Sequence, residues 1–180
     1  MKRGINKKGQ VWVETVIYTL IAFTMIGLVL SYAKPKIEEI QDKAIIEQSI
    51  DMMKEINEKI VEVKEGGAGN KREIILGMKK GILKIDGIED KIFFEIESRY
   101  TYSQLGENII VPLYAMDLIA HTEKKGKFNT VTLTMDYSEE NNITYQGGDE
   151  LKTISKAPTP YKLFFSNEGG DKTIIDIKIV

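Results

Sequence analysis

The chain has 180 residues, with 25 basic and 27 acidic side chains and a formal charge of −2. It has no cysteine and one histidine, which excludes disulfides, thiolate metal sites, thiol nucleophiles and His-rich metal sites. The near-neutral balance gives no whole-chain argument for nucleic acid, and no nucleic-acid partner is expected.

Residues 1–9 form a basic leader: Lys2, Arg3, Lys7 and Lys8 occur there, and no acid precedes Glu14. Residues 10–33 follow as an apolar run in which no charge appears after Glu14. At ~1.5 Å per residue a helix of that length reaches roughly 36 Å, enough to cross a bilayer core with some tilt. The run is longer than the apolar core of a secretory signal peptide, and "SYAKPK" behind it is a poor cleavage site. Basic residues in front favour an inside N-terminus, although Lys34 and Lys36 reduce the asymmetry. The expectation is a single-pass protein of the cell membrane, with the lipid bilayer as a partner and most of the chain outside.

Pro35 is expected to end or kink this helix. Residues 34–65 then read as an amphipathic helix, with Ile37, Ile40, Ala44, Ile50, Met53, Ile60 and Val63 at mostly three- and four-residue spacing. Residues 66–71 form a Gly-rich linker, and residues 72–180 a β-rich extracellular head. There the period changes to two. In "KIFFEIESRYTYS" one face carries Ile92, Phe94, Ile96, Tyr100 and Tyr102; in "FNTVTLTMDY" one carries Val131, Leu133, Met135 and Tyr137. Shorter strand candidates are 73–76, 82–85, 109–114, 118–122 and 143–146. A final hairpin is expected to turn at Asn167 to Asp171. The fold class is α+β: a long N-terminal hydrophobic then amphipathic helix, followed by an antiparallel β-sandwich-like head of seven to eight strands. The head is expected to fold without the rod, with some help from the amphipathic stripe.

Little in the head suggests chemistry. His121, alone in a strand context, reads as structural or solvated. "GGAGNKR" lacks the Lys-Ser/Thr of a phosphate loop and reads as a linker. The acids show neither calcium-loop spacing nor an acid/base couple. Lys124, Lys125 and Lys127 around Gly126 read as an exposed hairpin turn. Asn142-Ile143-Thr144 is a possible N-glycosylation sequon in an expected surface turn. No enzyme activity, metal site or cofactor is expected.

The order basic leader, Gly9, Gln10, apolar run, with Glu14 five residues past the glycine, resembles the class III signal peptide of archaeal type IV pilin-like proteins. The resemblance covers the leader and hydrophobic helix, about a sixth of the chain. It implies cleavage between Gly9 and Gln10 by a prepilin peptidase. It further implies assembly with other pilin subunits into an extracellular filament of pilus or archaellum type. Glu14 would then pair with the freed Gln10 amine of a neighbour. The alternative is an uncleaved single-pass membrane protein displaying a β-sandwich binding domain outside the cell.

Overall fold

The computed structural model describes the backbone of residues 7–180 and the side chains from Val11 onward. The chain divides into two compact units, Met1–Glu39 and Ile40–Val180. One helix, α1 (Lys7–Glu65), runs through both. Pro35 does not end it. A proline inside a helix removes one backbone hydrogen bond and crowds the preceding turn. The dozens of other bonds of this 59-residue helix keep it continuous. Its C-terminus falls at the glycines, where Gly67 takes φ 77, a left-handed conformation open to glycine at little cost.

In the unit Ile40–Val180, α1 buries a stripe at three- and four-residue spacing. Asp42, Ile46, Ser49, Met53, Ile56, Ile60 and Val63 are all buried. This corrects the start of the expected face, because Ile37 and Ile40 are exposed. The polar entry to the stripe is satisfied: Asp42 accepts from Lys80 Nζ and, at 2.7 Å, from the Arg99 backbone N–H.

Ten strands follow: β1 (Lys71–Leu76), β2 (Ile82–Asp86), β3 (Lys91–Ser98), β4 (Asn108–Pro112), β5 (Asp117–Lys125), β6 (Phe128–Asp136), β7 (Asn141–Tyr145), β8 (Leu151–Ser155), β9 (Tyr161–Gly169) and β10 (Thr173–Ile179). They make two sheets, in orders β1-β9-β10-β7 and β4-β5-β6-β3-β2-β8. All pairs are antiparallel except β7 with β10, which is parallel, so the expected antiparallel head is observed with one parallel pair in it. The α+β class itself holds.

The core follows from the register. Ile154, Leu83, Phe94, Leu133 and Ala120 lie opposite one another across the larger sheet. Each is buried on the same face. In the smaller sheet Ile74, Leu163, Phe165, Ile177 and Ile175 do the same. These faces and the α1 stripe form one apolar cluster. β3 stops at Ser98, short of the expected run to Tyr102. The Ser98 hydroxyl bonds both the Tyr100 carbonyl and the Tyr100 N–H, and this local turn competes with the ladder.

Candidate functional site

The unit Met1–Glu39 presents an apolar helix surface. From Val11 to Tyr32 every side chain is exposed. Among the described residues this is the one helix long and apolar enough to cross a membrane. Its threonine and serine hydroxyls are satisfied within the helix. Thr15, Thr19 and Thr24 donate to the carbonyls of Val11, Thr15 and Leu20 at 2.8–2.9 Å, and Ser31 donates to Leu28. That is what a hydrocarbon surrounding demands of a polar side chain. Trp12 and Tyr32, both exposed, stand twenty residues apart on α1. At ~1.5 Å per residue this is about 30 Å, the thickness of a bilayer's hydrocarbon core, where aromatic side chains mark the two interfaces.

Glu14 is the charge within this surface, exposed in the second turn past Gly9. Gly9 and Gln10 lie within α1, but their side chains fall outside the described residues, as does the leader before Lys7. Asn142 is placed in β7, half-buried, rather than in a surface turn. The turn comes just before it, because Glu140 and Asn141 donate their N–H groups back to the Tyr137 carbonyl. His121, in β5, contacts the Asn108 side-chain oxygen at 2.8 Å and Glu123 at 3.4 Å, a local surface arrangement. No group of three or more His, Asp or Glu among the described residues has the geometry to hold a metal ion.

The unit Ile40–Val180 carries a groove of about 850 Å³ that no motif announced. Its floor is built around Asn57, a polar residue on the apolar stripe of α1 and 1% exposed. Asn57 donates to the Tyr114 carbonyl at 2.7 Å and accepts from the Tyr137 hydroxyl at 3.1 Å. Burial raises the Tyr137 phenol far above its ordinary value, so it stays protonated and able to donate. Burial alone would raise Asp136, at the groove's edge. The bonds from the Ser138 hydroxyl and N–H, with Lys91 nearby, outweigh it and hold the carboxyl below its usual range. The one signal available in the sequence was an asparagine among Met53, Ile56 and Ile60, where an apolar residue would be the default.

The end of α1 is fixed to the smaller sheet by Asn167. Its amide reaches the Val63 and Lys64 carbonyls at 3.3 and 3.4 Å. Its backbone bonds Gly69 and Asn70. The Val63 carbonyl at the helix end gains a donor this way, and the Lys64 carbonyl a second one beside the Gly67 N–H at 3.2 Å.

No known family model matches the chain, and neither does any curated protein or solved structure.

Proposed function

We propose that the chain is a structural subunit of a cell-surface filament of the archaeal type IV pilus-like or archaellum-like kind, held in the membrane by its N-terminal helix before assembly. The observation that carries the reading is Glu14, the charge within an apolar helix surface exposed from Val11 to Tyr32, five residues behind Gly9. Such a surface needs lipid or other copies of itself to cover it, and a carboxylate within it is costly unless paired. Cleavage after Gly9 would remove four basic residues and free the Gln10 amine, with which Glu14 of a neighbouring copy can pair. Packed helices would then form the filament core, and the β-rich units would cover it. The Trp12-to-Tyr32 span favours a second reading, a single-pass protein that remains in the bilayer.

Glu14→Ala separates the two. In a filament it leaves an amine without its partner in a dry bundle, at a cost of ~3–5 kcal/mol. The expected result is processed protein that accumulates in the membrane and forms no filaments by electron microscopy. Filaments at wild-type level in this variant would remove the role assigned to Glu14. Surface display unchanged, with no filaments in wild type either, would favour the anchor.

A further inference from the structure

The two sheets end in four edge strands, and three of them are blunted. β1 carries Lys71, Arg72 and Glu73, all exposed. In β7 the Ile143 N–H donates to the Asp90 side chain at 2.8 Å and the Tyr145 N–H to the Gly148 carbonyl at 2.9 Å. In β8 Lys152 supplies a charge, and the Ser155 carbonyl accepts from the Tyr161 hydroxyl at 2.9 Å. Charges and occupied backbone groups keep a sheet edge from pairing with another chain. Among the described residues β4 has neither. Its sequence, NIIVP, holds no charge, and it pairs with β5 alone. Leu105, Ile109, Ile110 and Tyr114, on or beside it, are between 38% and 64% exposed, while the other exposed large apolar side chains of the unit stand on separate elements.

The hairpin turn decides which backbone groups of β4 are free. Leu113 donates its N–H to the Met116 carbonyl at 2.9 Å. Antiparallel pairs alternate between bonded and open positions, and the register runs unbroken through Val111 with Leu118 and Ile109 with Ala120. Those residues therefore bond β5. Asn108, Ile110 and Pro112 turn their backbone groups to the free edge, and Pro112, which has no N–H, stands where β5 needs none. On the core side Ile109 lies opposite the buried Ala120, yet Ile109 is itself exposed. The core layer stops short of this edge.

We infer that β4 pairs antiparallel with β4 of a second copy of this chain, about a two-fold axis at Ile110. The strand is complementary to itself in that register. Ile110 meets Ile110, and the two exchange both backbone bonds. The Asn108 N–H of each copy meets the Pro112 carbonyl of the other. Val111 of each copy lands beside the half-covered Ile109 of the other and extends the core layer across the edge. A slip by one residue sets bonded positions against open ones, and a slip that brings Pro112 opposite Ile110 leaves the Ile110 carbonyl without a donor. The contact is isologous and closes at two copies. It goes beyond the filament reading and needs only the membrane anchoring that both readings share. One five-residue strand makes a small, weak contact, so copies stay apart in dilute solution and pair where a membrane crowds them.

The absence of native cysteine makes the register readable in the full chain. Ile110→Cys is expressed in membranes and mildly oxidised. Opposite residues of a bonded antiparallel pair have Cα atoms about 5.5 Å apart, within disulfide reach. The expected result on a non-reducing gel is a disulfide-linked dimer and no higher species. Asn108→Cys and Pro112→Cys should each stay monomeric and, combined in one chain, give the dimer. Adding Ile110→Lys to that pair sets like charges opposite each other and should reduce the dimer at least tenfold. Ile75→Cys, exposed on the charged β1 edge, should stay monomeric. A monomeric Ile110→Cys, the outcome if lipid or a different protein covers β4, overturns the contact. A dimer from Asn108→Cys alone, or from Ile75→Cys as abundant as that from Ile110→Cys, also overturns it. Fractionation of the same cells tests the anchor separately: a membrane-bound chain without the Ile110→Cys dimer rejects this contact and leaves both readings standing.

Discussion

The α1 stripe belongs to the folded unit, and removing it should unfold the rest. A fragment starting at Asn70 lacks Ile46, Met53, Ile56, Ile60 and Val63, each at most 1% exposed. Burying each such side chain contributes ~1.5–3 kcal/mol, so their loss amounts to roughly 8–15 kcal/mol, an upper bound because unfolded chains bury some surface already. The whole stability of a domain is ~5–15 kcal/mol. Truncation also leaves Tyr137 without its acceptor on Asn57. The fragment Ile40–Val180 should be monomeric and unfold cooperatively, whereas Asn70–Val180 should aggregate or bind hydrophobic dye without a thermal transition. Within the longer fragment, Ile56→Ala should cost ~2–5 kcal/mol and lower Tm by roughly 6–20 °C. Circular dichroism and differential scanning fluorimetry read both effects. A soluble Asn70–Val180 with a cooperative transition close to that of the longer fragment would refute the reasoning. That outcome would restore the expectation of an autonomous β-head.

Two further changes probe the same unit. Asn167→Ala should destabilise Ile40–Val180 by about 1–3 kcal/mol in urea unfolding, because the Val63 carbonyl loses its donor while Lys64 keeps the Gly67 N–H; an unchanged midpoint would mean that water replaces it. Tyr137 gives an alkaline signature. Its folded-state pKa lies above the unfolded value near 10, so its contribution is fully present below pH ~10 and is lost above it as the unfolded state ionises. Unfolding free energy should therefore fall more steeply above pH ~10 in wild type than in Tyr137→Phe, by up to ~1.4 kcal/mol per pH unit. Equal slopes would contradict the burial argument.

Much of this fold was legible because its signals are local. Strict alternation gave β3 and β6, with the buried face of each up to Ile96 and Met135, and the glycines at 66–69 marked the end of α1. β8 was not legible, because of Leu151–Ser155 only Ile154 is buried. The parallel pairing of β7 with β10 joins residues about 30 apart and leaves no trace in either strand's own pattern. The groove was hidden for the same reason, since Asn57, Ala115 and Asn141 meet only through the tertiary fold. The stripe on α1 was read with a drift: Ile46 and Ile56 are in the core, while Ile37 and Ile40, also apolar, are outside it. Periodicity finds a face, but what packs against it decides where the face begins. Pro35 shows the converse, a strong local breaker overridden by the continuity of a long helix.

The first residue of the mature chain tests the filament account most directly. Surface material and membranes would be separated and the N-terminal peptide read by mass spectrometry, with Gly9→Val as the control. A peptidase groove that admits the backbone closely needs a residue without a side chain before the cut. The account expects filament-borne chains that begin at Gln10, and a Gly9→Val variant retained unprocessed in the membrane. Chains that begin at Met1 or Lys2, or normal processing of Gly9→Val, would contradict it.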